Sequence, residues 1–160
     1  MSFWMRVFGT REQCPSATEL MHVCLHQGVE VQSEVLGDDR DWEQVTLRLP
    51  GAAEGVMVER VGGGELGAEE VREEIRPVVE SFEGREGPGI AEVLDRIRNS
   101  QQLFIIGLPA ATPQRSPLRR LAAALASHLA RSTEGIYQIP DKGFFNPDGE
   151  LLVPDQEDVG

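Results

Sequence analysis

Four residues at the start of a predicted helix mark the place where the sequence favours a negatively charged ligand. They are Arg115, Ser116, Arg119 and Arg120. Ser116 followed by Pro117 is a strong helix start, because serine caps the free N–H groups and proline fits the first helical position. Helix N-termini bind anions, and arginine adds charged donors. We name these four residues as candidate ligand-binding residues. The alternative is that the arginines lie on a solvent-exposed helix face and neutralise the negative charge of the acidic helices.

Two histidines lie four residues apart on one face of another predicted helix. His22 and His26 have a spacing that can chelate a metal ion, and Glu19 precedes them by one turn. Cys14 is near enough in the sequence to contribute a further ligand. The same residues also form the polar side of an amphipathic helix, where histidine and glutamate are expected without a bound metal. The pair is a candidate metal site, and a solvated helix face is the favoured interpretation.

The segment from Gly62 to Gly67 matches the pattern G-x-G-x-x-G, which follows a strand and opens a helix in dinucleotide-binding proteins. The helix after it begins with four glutamates, at positions 69, 70, 73 and 74, which oppose the binding of a pyrophosphate. The next predicted strand lies about forty residues away, so no ribose-binding acid ends a nearby second strand. We therefore predict a flexible turn and no cofactor.

Catalytic machinery is not recognisable in the sequence. A cysteine or serine nucleophile needs a base and an orienting acid. Cys14 and either His22 or His128 are residues of the right type for a nucleophile and its base, but their spacing in the sequence does not select them. No nucleophile-elbow pattern of glycines surrounds a serine. Three acidic residues near the C-terminus are interpreted as parts of a hairpin: Asp141, Asp148 and Glu150. The sequence therefore favours a non-enzymatic protein and names no catalytic residue.

Charge and composition restrict the class of partner. The 160 residues include 15 basic and 27 acidic side chains, for a net charge of −12. Such a field repels phosphate backbones and anionic membranes, so we predict no nucleic-acid partner and no membrane association. Residues 96–133 are the exception, with six arginines and no acid. Two cysteines, no signal peptide and no long apolar run predict a cytoplasmic protein with reduced thiols.

Hydrophobic periodicity and turn residues predict the element order βαβββααβαβββ. Strands cluster in the sequence instead of alternating with helices, which is typical of an α+β fold with three or four helices on a mostly antiparallel sheet. We assign residues 1–153 to one domain and residues 154–160 to an acidic tail. The alternative is two β/α halves that meet near residues 84–89. Pro77 is expected to kink or break the helix that contains it.

Five aromatic residues lie near the two ends of the chain: Phe3, Trp4, Phe8, Phe144 and Phe145. If the terminal strands are neighbours, these side chains form one cluster or an exposed patch for a partner. Packing in the core is the favoured interpretation.

The C-terminal segment carries a family resemblance. Thr133 to Gln138, Gly143 to Asn146 and Asp148 to Leu152 are similar to a C-terminal hairpin in uncharacterised bacterial proteins, some of which resemble immunity proteins encoded beside toxins. The resemblance covers about 20 residues and implies a bacterial protein-interaction module. The net charge of −12 predicts that its protein partner is basic. A small anionic-ligand binder or enzyme that uses Arg115, Arg119 and Arg120 is the alternative function.

Overall fold

An eight-stranded antiparallel sheet forms the centre of the computed structural model, which describes residues 3–52, 55–62, 67–110, 112–113 and 115–155. The strands are β1 (Phe3–Gly9), β2 (Gln32–Gly37), β3 (Trp42–Arg48), β4 (Gly55–Val61), β5 (Gln102–Leu108), β6 (Ile136–Ile139), β7 (Gly143–Phe145) and β8 (Leu151–Pro154). The helices are α1 (Ala17–His26), α2 (Gly67–Glu80), α3 (Ile90–Arg98) and α4 (Pro117–Ser132). The predicted element order and the α+β fold are confirmed.

The strand order across the sheet is β2-β3-β4-β5-β1-β6-β7-β8, and every neighbouring pair is antiparallel. β1 therefore lies in the middle, between β5 and β6, although it comes first in the chain. Strands from both sides of residues 84–89 pair within this one sheet. Among the described residues, β2 and β8 are the two edge strands of the sheet.

The two faces of the sheet are covered differently. Helices α1 and α4 pack on one face, where alternate strand residues such as Val7, Val58 and Ile106 are completely buried. Helices α2 and α3 pack on the other face, but only at the end that holds Phe8 and Leu103. Neighbouring residues of a strand point to opposite faces, so Val7 and Phe8 of β1 belong to the cores on different sides of the sheet. The rest of the second face carries partly or fully exposed side chains.

The helices begin largely as their sequences indicate. Ser16 caps α1, and its Oγ accepts a hydrogen bond from the N–H of Glu19 at 3.1 Å. α2 continues past Pro77 to Glu80 as one helix, so a break at that proline is wrong, while a kink there stays a prediction. Pro77 is exposed near the end of α2, where water can satisfy the carbonyl that lacks its N–H partner.

The aromatic residues near the chain ends do not form one cluster. Phe144 packs against Phe8 and Phe82 under α2 and α3, with ring centroids 6.2 and 5.2 Å apart. Phe145 points to the opposite face and stacks on Tyr137. Trp4 is 37% exposed, while the side chain of Phe3 lies outside the described part of the structure. Core packing is thus confirmed for Phe8 and Phe144 and is wrong for Trp4.

The C-terminal hairpin forms as predicted. The N–H of Gly149 donates to the carbonyl of Asn146 at 3.0 Å, which closes the turn between β7 and β8. Pro154 belongs to β8, and Asp155 accepts a hydrogen bond from the N–H of Asp141 at 2.7 Å, so these first two residues of the predicted acidic tail are part of the folded domain. Residues 156–160 lie outside the described part of the chain.

A buried tryptophan ties β3 to the loop before α1. Trp42 is 1% exposed, and its Nε1–H donates to the carbonyl of Pro15 at 2.8 Å. Replacing Trp42 by phenylalanine is expected to lower the free energy of unfolding by about 2 kcal/mol, because the buried carbonyl loses its donor. Urea unfolding measures the change. The matched control is Trp4→Phe at the exposed tryptophan, and an equal loss there would contradict the assigned role of this hydrogen bond.

Candidate functional site

A groove of about 730 Å³ lies beside the N-terminal end of α4, and all four predicted ligand-binding residues line it. We call it the basic groove. Its lining comprises Met5, Arg115, Ser116, Arg119, Arg120, Ala123, Ile139, Pro140, Asp141 and Lys142. This volume falls within the range of small-molecule sites in proteins. The four residues that lie close together in the sequence, at the start of α4, therefore also line one concave surface.

The basic groove exists because β6 is short. β6 pairs with β1 only along Arg6–Phe8, so Met5 extends beyond the end of this ladder. The chain leaves β6 at Ile139 and turns through Pro140–Lys142 into β7. Met5, Ile139 and Pro140 thus give the groove an apolar part, while α4 supplies one cationic side.

The N-terminus of α4 is capped as predicted. Ser116 Oγ accepts a hydrogen bond from the N–H of Leu118 at 3.2 Å, and Pro117 occupies the start of the helix. Arg119 is half-buried, and its Nη2 donates to the carbonyl of Thr112 at 3.2 Å. This contact holds the Arg119 side chain against the loop before α4. The alternative interpretation placed all of these arginines on a solvent-exposed face. Arg119 does not fit it, whereas Arg115 and Arg120 are exposed.

Lys142 is the functional candidate that sequence reasoning missed. It comes from the turn between β6 and β7, directly after Asp141, whose backbone has a φ of 68°. Within an acidic stretch of sequence, a single lysine gives no signal of its own. Its place opposite the start of α4 depends on how β6 and β7 pair with the rest of the sheet. The groove therefore combines cationic side chains from two elements that are distant in the sequence.

The electrostatics of the basic groove differ from those of the whole chain. Ion pairs in the described residues hold Arg11, Arg48, Arg60, His128 and Arg131 against carboxylates. Within the same residues no carboxylate lies at ion-pair distance from Arg115, Arg120 or Lys142. Asp141 is the single acidic side chain in the described lining. The groove is thus a cationic concavity on a protein of net charge −12.

A second groove, of about 550 Å³, lies between α1 and α4 and brings the three histidines of the chain together. His22 and His26 are exposed on α1, and His128 on α4 lies 2.7 Å from the Glu19 carboxylate. Glu19 therefore contacts His128, which the sequence did not predict. Among the described residues no group of three histidine, cysteine or acidic side chains is placed to hold a metal ion. The His22 and His26 metal site stays a prediction.

Neither cysteine has the environment of a nucleophile. Cys14 is half-buried and its Sγ lies 3.5 Å from the carbonyl of Pro15, while Cys24 is fully buried on the inner face of α1. Burial raises the pKa of each thiol to about 11; for Cys14 the nearby Arg60 partly opposes this effect. The structure describes no hydrogen bond between Cys14 and a histidine. A thiolate at Cys14 is therefore disfavoured at neutral pH.

The raised thiol pKa values predict slow alkylation. At pH 8, Cys14 and Cys24 are expected to react with iodoacetamide roughly a hundredfold more slowly than a free cysteine, because the thiolate is the reactive form. Mass spectrometry across pH 7 to 11 measures the rate, with the urea-unfolded chain as the control. Native and unfolded chains that react equally fast at pH 8 would show that burial does not protect the thiols.

The same thiol pKa values predict a loss of stability at high pH. The usual thiol pKa is 9.0, and the folded state raises it to about 11, so the unfolded chain releases these protons first. Between these two values the unfolded state binds fewer protons, and the free energy of unfolding falls as the pH rises. Urea unfolding of the native chain and a C14S/C24A variant at several pH values tests this. A variant with the same pH dependence would assign the effect to other groups.

The remaining candidate residues belong to the C-terminal hairpin and to the glycine-rich segment. Asp148 forms an ion pair with Arg131 at 3.1 Å, and the N–H of Glu150 donates to the side chain of Asn146, so both residues belong to the hairpin. Residues 63–66 of the glycine-rich segment lie outside the described part of the structure, while Gly62 has a φ of 108°. The prediction of a turn without a cofactor there stays a prediction.

No helix in the described part of the chain is long and apolar enough to cross a membrane. Comparison of the chain with protein-family models, with curated proteins and with solved structures gave no match in any of the three.

Proposed function

We propose that the protein binds a small organic anion in the basic groove. The observation that carries this proposal is the convergence of Arg115, Arg119, Arg120 and Lys142, from two separate elements, on one concavity of about 730 Å³. Unpaired cations on the surface of an acidic protein would more favourably lie beside its own carboxylates. Three of these four instead have no carboxylate at ion-pair distance among the described residues.

The lining favours an anion with an apolar body. The cationic side chains form one part of the groove, while Met5, Ala123 and Ile139 present apolar surface. A carboxylate or phosphate would take hydrogen bonds from the arginines, and a short hydrocarbon or ring would cover the apolar part. Binding fits this groove better than catalysis, because its described lining holds one hydroxyl, on the helix cap Ser116, and neither a histidine nor a cysteine to act with it.

A titration with matched probes tests the proposal. Phenyl phosphate is expected to shift the amide signals of residues around the groove in ¹⁵N-edited NMR spectra and to bind more tightly than inorganic phosphate. Phenyltrimethylammonium has the same ring with the opposite charge and is expected not to bind there. Equal binding of the two phenyl compounds, or no binding of any anion at these residues, would overturn the proposal.

A second candidate function is a protein-interaction module of the immunity type, as the C-terminal resemblance implies. The observation that favours it is the exposure of two large apolar side chains on an edge strand of the sheet, Val35 and Leu36, which are 37% and 58% exposed. A basic partner is the natural complement of a chain of net charge −12. Reciprocal purification of the tagged chain and its partner from cells, in low and high salt, tests this function. A chain that recovers no partner in low salt would refute it.

A further inference from the structure

We propose that the open edge of β2 accepts a basic, extended segment of a partner protein as a ninth strand of the sheet. This inference rests on the second candidate function and names the surface and the kind of partner. An extended segment that joins a sheet edge gains main-chain hydrogen bonds along its whole length, and alternate side chains contact the two faces.

The β8 edge is protected, while the β2 edge is not. β8 has four residues, ends in Pro154 and lies beside an irregularity in its pairing with β7. Proline and short strands are common devices that prevent edge-to-edge association. β2 has six residues, with neither proline nor lysine, and pairs with β3 in continuous register from Gln32 to Leu36. Its own irregularity comes only at the end of the strand, between Leu36 and Gly37, whereas that of β8 interrupts the strand between Leu151 and Val153. The outer backbone groups of β2 therefore form a regular template.

The side chains of β2 also do not oppose the pairing of an added strand. Glu34 is the single charged residue within the strand, and it forms an ion pair with Arg48 on β3. Next to it, Val35 and Leu36 expose apolar surface on the two faces of the edge. Adjacent strand residues point to opposite faces, so an added strand would cover one of these side chains on each side of the sheet.

The charge around β2 selects the partner. From Glu30 to Glu43 the chain carries six acidic side chains and one basic side chain, Arg40. Among these acids, the Asp41 carboxylate is paired with Arg60 and Asp39 accepts hydrogen bonds from Thr18, while Asp38 and Glu43 are exposed. A second copy of this chain would bring the same negative charge to the edge and be repelled. A strand with lysine or arginine beside apolar residues complements both the charge and the exposed apolar side chains.

A peptide titration tests the edge directly. The probe is a seven-residue peptide of alternating lysine and valine, and the control peptide carries glutamate in place of lysine. The lysine peptide is expected to shift the amide signals of residues 32–37 and slow their hydrogen exchange, with binding that weakens in high salt. Leu36→Lys should weaken binding at least tenfold, while Leu151→Lys, at a leucine of similar exposure on β8, should leave it unchanged.

Several outcomes would overturn the proposal. They are equal binding of the glutamate peptide, amide shifts that map to β8 or elsewhere, and self-association of the chain through β2 in sedimentation experiments. A partner recovered from cells whose affinity is unaffected by Leu36→Lys would refute the edge site and leave the interaction function standing. Failure to recover any partner, with β2 still binding the lysine peptide, would instead refute that function.

Discussion

Replacing Gly135 by alanine is expected to lower the free energy of unfolding by roughly 4 kcal/mol or more, which is most of the stability of a domain at the low end of the usual range of about 5–15 kcal/mol. Gly135 joins α4 to β6, and its N–H donates to the carbonyl of Ala130 at 2.8 Å. A Cβ at this position would lie 1.9 Å from the backbone oxygen of Phe8. Phe8 belongs to β1, which is paired on both sides, so neither backbone can move without breaking a strand ladder.

Gly28→Ala is the matched control for this prediction. Gly28 ends α1 with a φ of 76°, and nothing lies within 4 Å of a Cβ built there. Alanine at this position is strained only by its left-handed backbone, which costs about 1 kcal/mol. Urea unfolding and circular dichroism compare the two variants. A Gly135→Ala protein that is as stable as Gly28→Ala would show that α4 and β6 can separate from β1 at little cost.

The elements of this fold are predictable because their signals are local. Ser16 and Ser116 cap their helices, and the turn at Asn146–Gly149 closes its hairpin as the residue types indicate. The position of β1 between β5 and β6 is not predictable in this way. Hydrophobic alternation shows that a strand has a buried face, but it does not say which strand lies beside it. Phe144 and Phe145 lie on opposite faces of the sheet because they are adjacent residues of one strand, so their separation is predictable once β7 is known to be a strand.

The candidate site was predictable in part for the same reason. The arginines near Ser116 are close in the sequence, so one helix start is enough to group them. Lys142 joins them only because β6 ends early and the chain turns back towards α4. His128 reaches Glu19 across the contact between α1 and α4, at a sequence separation of 109 residues. No pattern within a single element contains information about such contacts.

Neutralising three cations of the basic groove is expected to weaken anion binding at least about tenfold. The variant is R115Q/R120Q/K142Q, which keeps side chains of similar length and leaves Arg119 in contact with Thr112. Hydrogen bonds to charged groups contribute about 1.5–3 kcal/mol each, and exposure to solvent reduces this value. A tenfold loss corresponds to about 1.4 kcal/mol for the three residues together. Calorimetric titration with phenyl phosphate measures the affinity.

The control must separate a local site from the overall charge of the chain. R72Q/R76Q/R98Q removes the same three charges from exposed positions on α2 and α3, the helices that pack on the other face of the sheet. If the groove binds the anion by direct contact, this control keeps the native affinity within about twofold, because charges beyond a Debye length are largely screened. If both variants lose affinity equally, a diffuse field attracts the anion and the basic groove is not its site. The loss in the groove variant alone would locate the anion between the start of α4 and the turn that carries Lys142.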